Sequence, residues 1–258
     1  MMSDLWKSDD NWFATWFNTA AYHALYGERN ADEAFRFIEA LTEEVLNGDY
    51  PRVLDMGCGT GRHTAAFVAK GLHAVGIDLS PNSIETARLE CGESEQLRFI
   101  QGDMRYMDEY LEAGSFDAVA SLFTSIGYFE QKEDLMKTLR GVCRVLRDRG
   151  LFIVDFLNPE LVISELVKEE VKEVDDYVFR IHRRVANGRI EKSIQFVEPN
   201  GVHQHYVERV RALTPMDWRE LLADMGMRVE LHFGDYSLNP WCEQSPRSIL
   251  VARKMSCG

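Results

Sequence analysis

A short apolar run, Arg52-Val53-Leu54-Asp55-Met56, passes directly into Gly57-Cys58-Gly59-Thr60-Gly61 and then into a segment of helical character from about Arg62 to Lys70. Few folds remain open to a chain with glycine at every second position between a strand and a helix. Glycine accepts positive φ, and without a Cβ it lets the backbone approach a ligand closely. The first amides of the following helix have no internal partner and can meet a polar or anionic group. A dinucleotide loop has the order G-x-G-x-x-G, with the pyrophosphate seated on the helix N-terminus. Counting from Gly57, that order requires glycine at position 62, where this chain has Arg62. The order here is D-x-G-x-G-x-G. Asp55, two residues before the first glycine, would crowd a pyrophosphate but suits a ligand that carries an ammonium group. The spacing therefore disfavours a nicotinamide dehydrogenase.

The rest of the chain repeats the strand-helix alternation. HAVGIDLS reads as a strand followed by a helix from Pro81 to Cys91; LRFIQGD and FDAVASLF read as further strands. Leu135, Leu139, Val142 and Leu146 recur at helical spacing over Lys132 to Leu146, and GLFIVDF is a fifth strand. Such alternation argues for a parallel sheet with helices on both faces. Two regions depart from it. Residues 1–50 carry two helical segments rich in aromatics, among them Trp12, Phe13, Trp16, Phe17, Tyr22 and Tyr26. Residues 170–213 read as three antiparallel strands, the first turn marked by Asn187-Gly188, the strongest short hairpin signal. Thr214-Pro215-x-Asp217 opens a helix in capping style, and MRVELHF and RSILVAR close the chain as strands. The expected organisation is a helical lid over 1–50, a ligand-binding core over 51–169, an antiparallel insertion over 170–213, and a final helix with two core strands over 214–258.

Two further acids end the next two strands. Asp78 closes HAVGID, where a carboxylate can take both hydroxyls of a ribose, and Asp103 closes RFIQGD. Ligands of open α/β sheets bind at the carboxyl ends of the strands, where strand order reverses. Acids on three consecutive strand ends match a cationic nucleoside better than a phosphorylated one. VLDMGCGTGRHT, VGIDLS, QGDMR and FDAVASLFTSIGYF, in that order, resemble the successive motifs of class I S-adenosylmethionine-dependent methyltransferases. The resemblance implies an α/β, Rossmann-like three-layer sandwich with a seven-stranded, mostly parallel sheet whose last strand is antiparallel. It also implies roles for the residues that match. Asp55 and the backbone of Gly57, Gly59 and Gly61 would hold the methionine moiety of S-adenosyl-L-methionine. Asp78, with Leu79 beside it, would hold the ribose; Asp103 and Met104 would flank the adenine; Leu122 and Phe123 would lie beside the sulfonium. QGDMR, the run Phe123 to Tyr128 and the late antiparallel insertion resemble small-molecule N-methyltransferases of the amino-sugar and glycine/sarcosine type.

Tyr22 and Tyr26 lie on one helical face at i and i+4, so they either pack the N-terminal helix on the sheet or line the methyl-transfer site. In the enzymes that the motifs resemble, an N-terminal tyrosine lies over the cofactor, which favours the second role, with Tyr26 on the cofactor and Tyr22 at the reaction. Asn158 follows the fifth strand, on the substrate side of such a fold. Tyr128 and His205 are candidates to receive a proton from an amine acceptor. His203 and His205 share one face of a strand, but no nearby cysteine or carboxylate completes a ligand set, so no metal is expected. The expected reaction is methyl transfer to a small molecule, an amine by preference, because no Lys-Asp or His-Asp pair stands at the strand ends to deprotonate a hydroxyl. O- or carboxyl-methylation of a metabolite and cofactor binding without transfer are the alternatives. A net charge of −13 repels phosphate backbones and argues against nucleic acid as partner. Apolar residues make up 45% of the chain, which excludes general disorder, and no apolar run approaches the ~20 residues of a membrane span. With no export signal and five cysteines dispersed without CxxC pairs, the chain reads as cytoplasmic with reduced thiols. Exposed strands of the insertion offer a route to a homodimer.

Overall fold

The computed structural model describes residues 4–6, 12–26, 31–48 and 51–256. Three helices lead: α1 (Trp12–Trp16), α2 (Ala20–Tyr26) and α3 (Ala31–Leu41). The alternating section follows as β1 (Arg52–Met56), α4 (Arg62–Ala69), β2 (His73–Asp78), α5 (Pro81–Cys91), β3 (Leu97–Gln101), β4 (Phe116–Ser121), α6 (Lys132–Val145), β5 (Leu146–Leu157) and α7 (Pro159–Ser164). Next come β6 (Glu169–Val174), β7 (Tyr177–Ala186), β8 (Arg189–Val197) and β9 (His203–Arg211). The chain closes with α8 (Pro215–Asp224), β10 (Met227–Phe233) and β11 (Arg247–Lys254).

The main sheet has seven strands in the order β10-β11-β5-β4-β1-β2-β3. Strand β1 pairs in parallel with both β2 and β4, so strand order reverses there, and β11 runs antiparallel between β5 and β10. Both faces of the sheet are covered, and the apolar stretch Leu151–Val154 of β5 meets a core on each side. Leu151 and Ile153 join α3 and α4 residues such as Phe37 and Phe67 on one face. Phe152, Val154 and Phe156 join Leu139, Val142 and Trp218, from α6 and α8, on the other. The predicted stripe of α6 is buried along its length, with Leu135 2% and Leu139 and Val142 0% exposed. Thr214 Oγ1 accepts from the Asp217 amide while Asp217 Oδ2 accepts from the Thr214 amide, the reciprocal cap that the sequence predicts for α8.

The insertion is a separate antiparallel sheet of four strands, β6-β7-β8-β9, rather than three. The additional strand is β6, Glu-Glu-Val-Lys-Glu-Val, whose charge reads as a solvated face because every other residue is exposed. Asn187 and Gly188 turn between β7 and β8 with φ of 51° and 69°, as a two-residue hairpin of this kind requires. The buried face of this second sheet, Phe179, Ile181, Ile194 and Phe196, shares one apolar cluster with Trp12, Phe13, Trp16, Ala21 and Leu25. Lid and insertion are therefore packed on each other. The described cysteines Cys58, Cys91, Cys143 and Cys242 are unpaired, and among the described residues no helix is long and apolar enough to cross a membrane.

Candidate active site

One cavity opens at the carboxyl ends of β1, β2 and β4, beneath α1 and α2. Its floor is the glycine loop, lined by Gly57, Cys58, Gly59 and Thr60. Asp78 and Leu79 border it from the end of β2, Asp103 and Met104 from the end of β3, and Leu122, Phe123, Ser125 and Tyr128 from the segment after β4. Its roof is aromatic: Phe13 and Phe17 of the N-terminal segment, Tyr22 and Tyr26 of α2, and Phe129 opposite them. Phe17 meets Tyr22 at 4.9 Å and Tyr128 at 5.0 Å between ring centroids, so roof and wall close on each other.

The glycines have different tasks. Gly59 (φ 56°) has nothing within 4 Å of where a Cβ would stand, so its open side belongs to the cavity. A Cβ on Gly57 would meet Ser125 Cβ at 2.7 Å, so its lack of a side chain lets the segment after β4 close over the loop. Gly61, expected in the ligand cradle, does not line the cavity. A Cβ there would meet two atoms of the Phe99 ring at 2.7 Å, so this glycine serves the contact between the start of α4 and β3.

Asp78 stands where a ribose acid is expected. Its Oδ2 accepts from the Gly59 amide and its Oδ1 from the Ser80 amide, each at 2.8 Å. A carboxylate has about four lone-pair sites, so these two amides leave room for a ribose hydroxyl. Burial raises its pKa, opposed by those amides. Asp103 has both oxygens on Arg105, which also bonds Asp134, and this pins the turn that carries Met104 against the cavity. His23 also faces the cavity; burial lowers its pKa, opposed by nearby Asp78. Arg62, the residue that breaks the dinucleotide spacing, lies over the Phe123 ring at 4.7 Å and borders the cavity with His63.

Three more expected positions lie outside the cavity lining. Asp55 is 1% exposed and does not line the cavity; its Oδ2 accepts from Thr64 Oγ1 at 2.6 Å. Burial lifts its pKa to about 6, and Asp78 adds to the lift. Asn158 is fully buried away from the cavity, its Nδ2 donating to the carbonyls of Glu243 and Ser245 at 2.9 Å, so it ties down the segment before β11. His205 lies on the second sheet, its Nε2 within 2.9 Å of Ser193 Oγ and 3.1 Å of the Leu5 carbonyl, where it anchors the N-terminal turn. Tyr22, Tyr26 and Tyr128 do reach the cavity. Tyr26 is fixed from behind: its hydroxyl donates to Glu208 at 2.7 Å and accepts from Lys192 Nζ at 2.6 Å. Phe13, Phe17, His23, Arg62 and His63 also line the cavity, beyond the residues expected from the motifs. The i, i+4 pair Phe13 and Phe17 carries the same spacing as Tyr22 and Tyr26 and would have flagged the first two.

The pocket suits S-adenosylmethionine: a glycine cradle that a Cβ would fill, a carboxylate with free lone pairs at the ribose position, and aromatic faces suited to a cation. Residues 53–150 match the family model described as a methyltransferase domain. The YqeM protein of Bacillus subtilis is 28% identical over 94% of this chain and 96% of its own length. Glycine/sarcosine N-methyltransferase of Aphanothece halophytica is 26% identical over 93% of this chain and 86% of its own. The CcbJ methyltransferase of Streptomyces caelestis has the same fold, with a TM-score of 0.76 at 17% identity over 96% of this chain and all of that one. The domain match over residues 53–150 and the full-length relatives support an S-adenosylmethionine-dependent methyltransferase, and the solved structure shares its fold.

Proposed function

We propose that this methyltransferase acts on a compact amine held between the N-terminal helices and the segment after β4. The observation that carries this reading is the aromatic enclosure formed by Phe13, Phe17, Tyr22, Tyr26, Tyr128 and Phe129. Aromatic faces attract cations by about 0.5–2 kcal/mol each, and an amine leaves N-methylation as a substituted ammonium. The bound cofactor supplies an electrophilic methyl group on a sulfonium. What the chain adds is position and exclusion of water: Asp78 would hold the ribose, Gly59 would face the methionine end, and the lid and second sheet would seal the acceptor end. Alignment of this kind contributes roughly 7–11 kcal/mol without a strong acid or base.

An amine arrives mostly protonated and must lose that proton before it attacks. His23, whose pKa burial lowers, is suited to take it, and the hydroxyls of Tyr22 and Tyr128 to pass it on. The N-methyltransferase named among the relatives supports the same acceptor class. An enclosed pocket on a chain of net charge −13 also suits a small acceptor better than a nucleic acid. The test is release of S-adenosylhomocysteine from purified protein offered small primary and secondary amines beside matched hydroxy and carboxylic acids. Turnover is expected with amines. Turnover confined to hydroxyl or carboxyl acceptors overturns the reading.

A further inference from the structure

Two consecutive non-glycine residues just after β4 hold positive φ: Phe123 at 58° and Thr124 at 68°. For a bulky and a β-branched side chain this backbone is strained, and it persists only where neighbours enforce it. The neighbours here are specific. Asp155, fully buried on β5, accepts the Phe123 amide on Oδ2 at 2.8 Å and the Thr124 amide on its own carbonyl at 3.0 Å. Arg247, the first residue of β11, donates from Nε to Asp155 Oδ1 at 2.7 Å and from Nη2 to Thr124 Oγ1 at 3.0 Å. Tyr236 donates its hydroxyl to Asp155 Oδ2 at 3.2 Å. The Arg247 guanidinium also stands 5.5 Å from the centre of the Phe123 ring, which has Arg62 at 4.7 Å. Among these residues Phe123 and Arg62 line the cavity, whereas Asp155, Tyr236 and Arg247 do not.

We infer that Asp155 and Arg247 are positioning residues for the cofactor pocket: together they hold the Phe123-Thr124 turn in its left-handed form, so that the Phe123 ring stands as a wall of the cavity. The inference rests on this cavity as the cofactor site and is independent of which acceptor the enzyme uses. A buried ion pair is weak evidence of a stability role, because well-packed apolar residues often replace one at no net cost. This pair instead bonds the two strained residues at both backbone amides and at the Thr124 hydroxyl.

The test is a double-mutant cycle read as the dissociation constant of S-adenosylhomocysteine by calorimetry, with the thermal midpoint measured beside it. Arg247→Met is expected to weaken binding at least tenfold, and Phe123→Ala to weaken it as well. If Arg247 acts through the ring, the double variant binds no more weakly than Phe123→Ala alone. Thr124→Gly, which accepts positive φ without strain, should return the Arg247→Met protein to within about threefold of the parent. Losses that add fully, or failure of glycine to rescue, overturn the inference. Should Arg247→Met fail to fold, Tyr236→Phe removes a single bond to Asp155. Its expected two- to fivefold loss must vanish in the Phe123→Ala background, and a loss that persists there overturns the inference equally.

Discussion

The different tasks of Gly59 and Gly61 can be separated by one methyl group placed two residues apart. In Gly61→Ala the new Cβ lands 2.7 Å from Cε1 and Cζ of Phe99 and 3.1 Å from Ala87 Cβ. Phe99 is 2% and Ala87 0% exposed, in an apolar cluster with Ile84 and Leu97, so neither can swing into solvent. Overpacking a core by a methyl costs about 1–3 kcal/mol, and alanine at a φ of 85° adds roughly 1–2 kcal/mol. The sum, about 2–5 kcal/mol, is a large part of the 5–15 kcal/mol of a typical domain and lowers the thermal midpoint by roughly 4–20 °C. Gly59→Ala carries only the backbone cost of about 1–2 kcal/mol, because its Cβ meets nothing within 4 Å.

For ligand binding the order inverts. The methyl of Gly59→Ala projects into the space the methionine end of the cofactor is proposed to fill, so S-adenosylhomocysteine should bind roughly ten- to a hundredfold more weakly, or about 1.4–2.8 kcal/mol. The folded fraction of Gly61→Ala should bind within about threefold of the parent. Differential scanning fluorimetry and calorimetry on the two proteins settle the assignment. A Gly61→Ala protein that keeps its midpoint but loses the ligand would refute this division of labour. So would a Gly59→Ala protein that binds normally.

Asp78→Ala should weaken S-adenosylmethionine at least tenfold in calorimetry with the fold retained; Asp78→Asn, which keeps one acceptor for the loop amides, should separate loop support from ribose binding. Unchanged affinity in both removes Asp78 from the site. Tyr22→Phe should lower turnover more than cofactor affinity once an acceptor is in hand, and equal turnover returns Tyr22 to packing. Burial lowers His232 to about 4, so the unfolded chain takes up that proton first; the stability held by neutral His232 is intact above about pH 6.5 and is lost as pH falls towards 4. His232→Gln should flatten that part of the midpoint-against-pH profile, and an unchanged slope would be evidence against it. Asp55 has the opposite sign: its value is raised to about 6, so its contribution is present below the ordinary carboxylate value and is lost as pH rises through 6. Asp55→Asn should therefore gain in midpoint over the parent on going from pH 4.5 to 7, and a constant difference would contradict the raised value.

The cofactor half of this pocket is readable in sequence because each of its parts is local. A strand end, two or three loop residues and a helix start lie consecutively, so spacing and motif alone can bring Gly57, Gly59, Asp78, Asp103 and Phe123 to the one cavity that they line. Asp55 and Gly61 belong to the same motif but lie outside the cavity lining, because one side of each faces a neighbour, Thr64 or Phe99, that spacing does not reveal. The acceptor half is built differently. Trp16 donates to Glu208, 192 residues away, and Tyr26 donates to the same carboxylate, so two roof helices are fixed by one residue of the second sheet. Arg247 reaches Asp155 across 92 residues to hold the wall beside Phe123. Neither contact leaves a trace in hydrophobic period. Glu208 reads as one charge in a solvated strand, and Arg247 as the polar start of another. His205 and Asn158 show the converse: polar residues expected at the site whose bonds tie chain segments together. A buried charge that joins segments distant in sequence is thus the kind of residue most easily overlooked here. Glu208 belongs with Arg247 in that class: Glu208→Gln should loosen Tyr26 and Trp16 together, seen as a change in tryptophan emission that Tyr26→Phe alone does not produce. Identical emission from Glu208→Gln and the parent would mean that apolar packing of the roof suffices without the carboxylate.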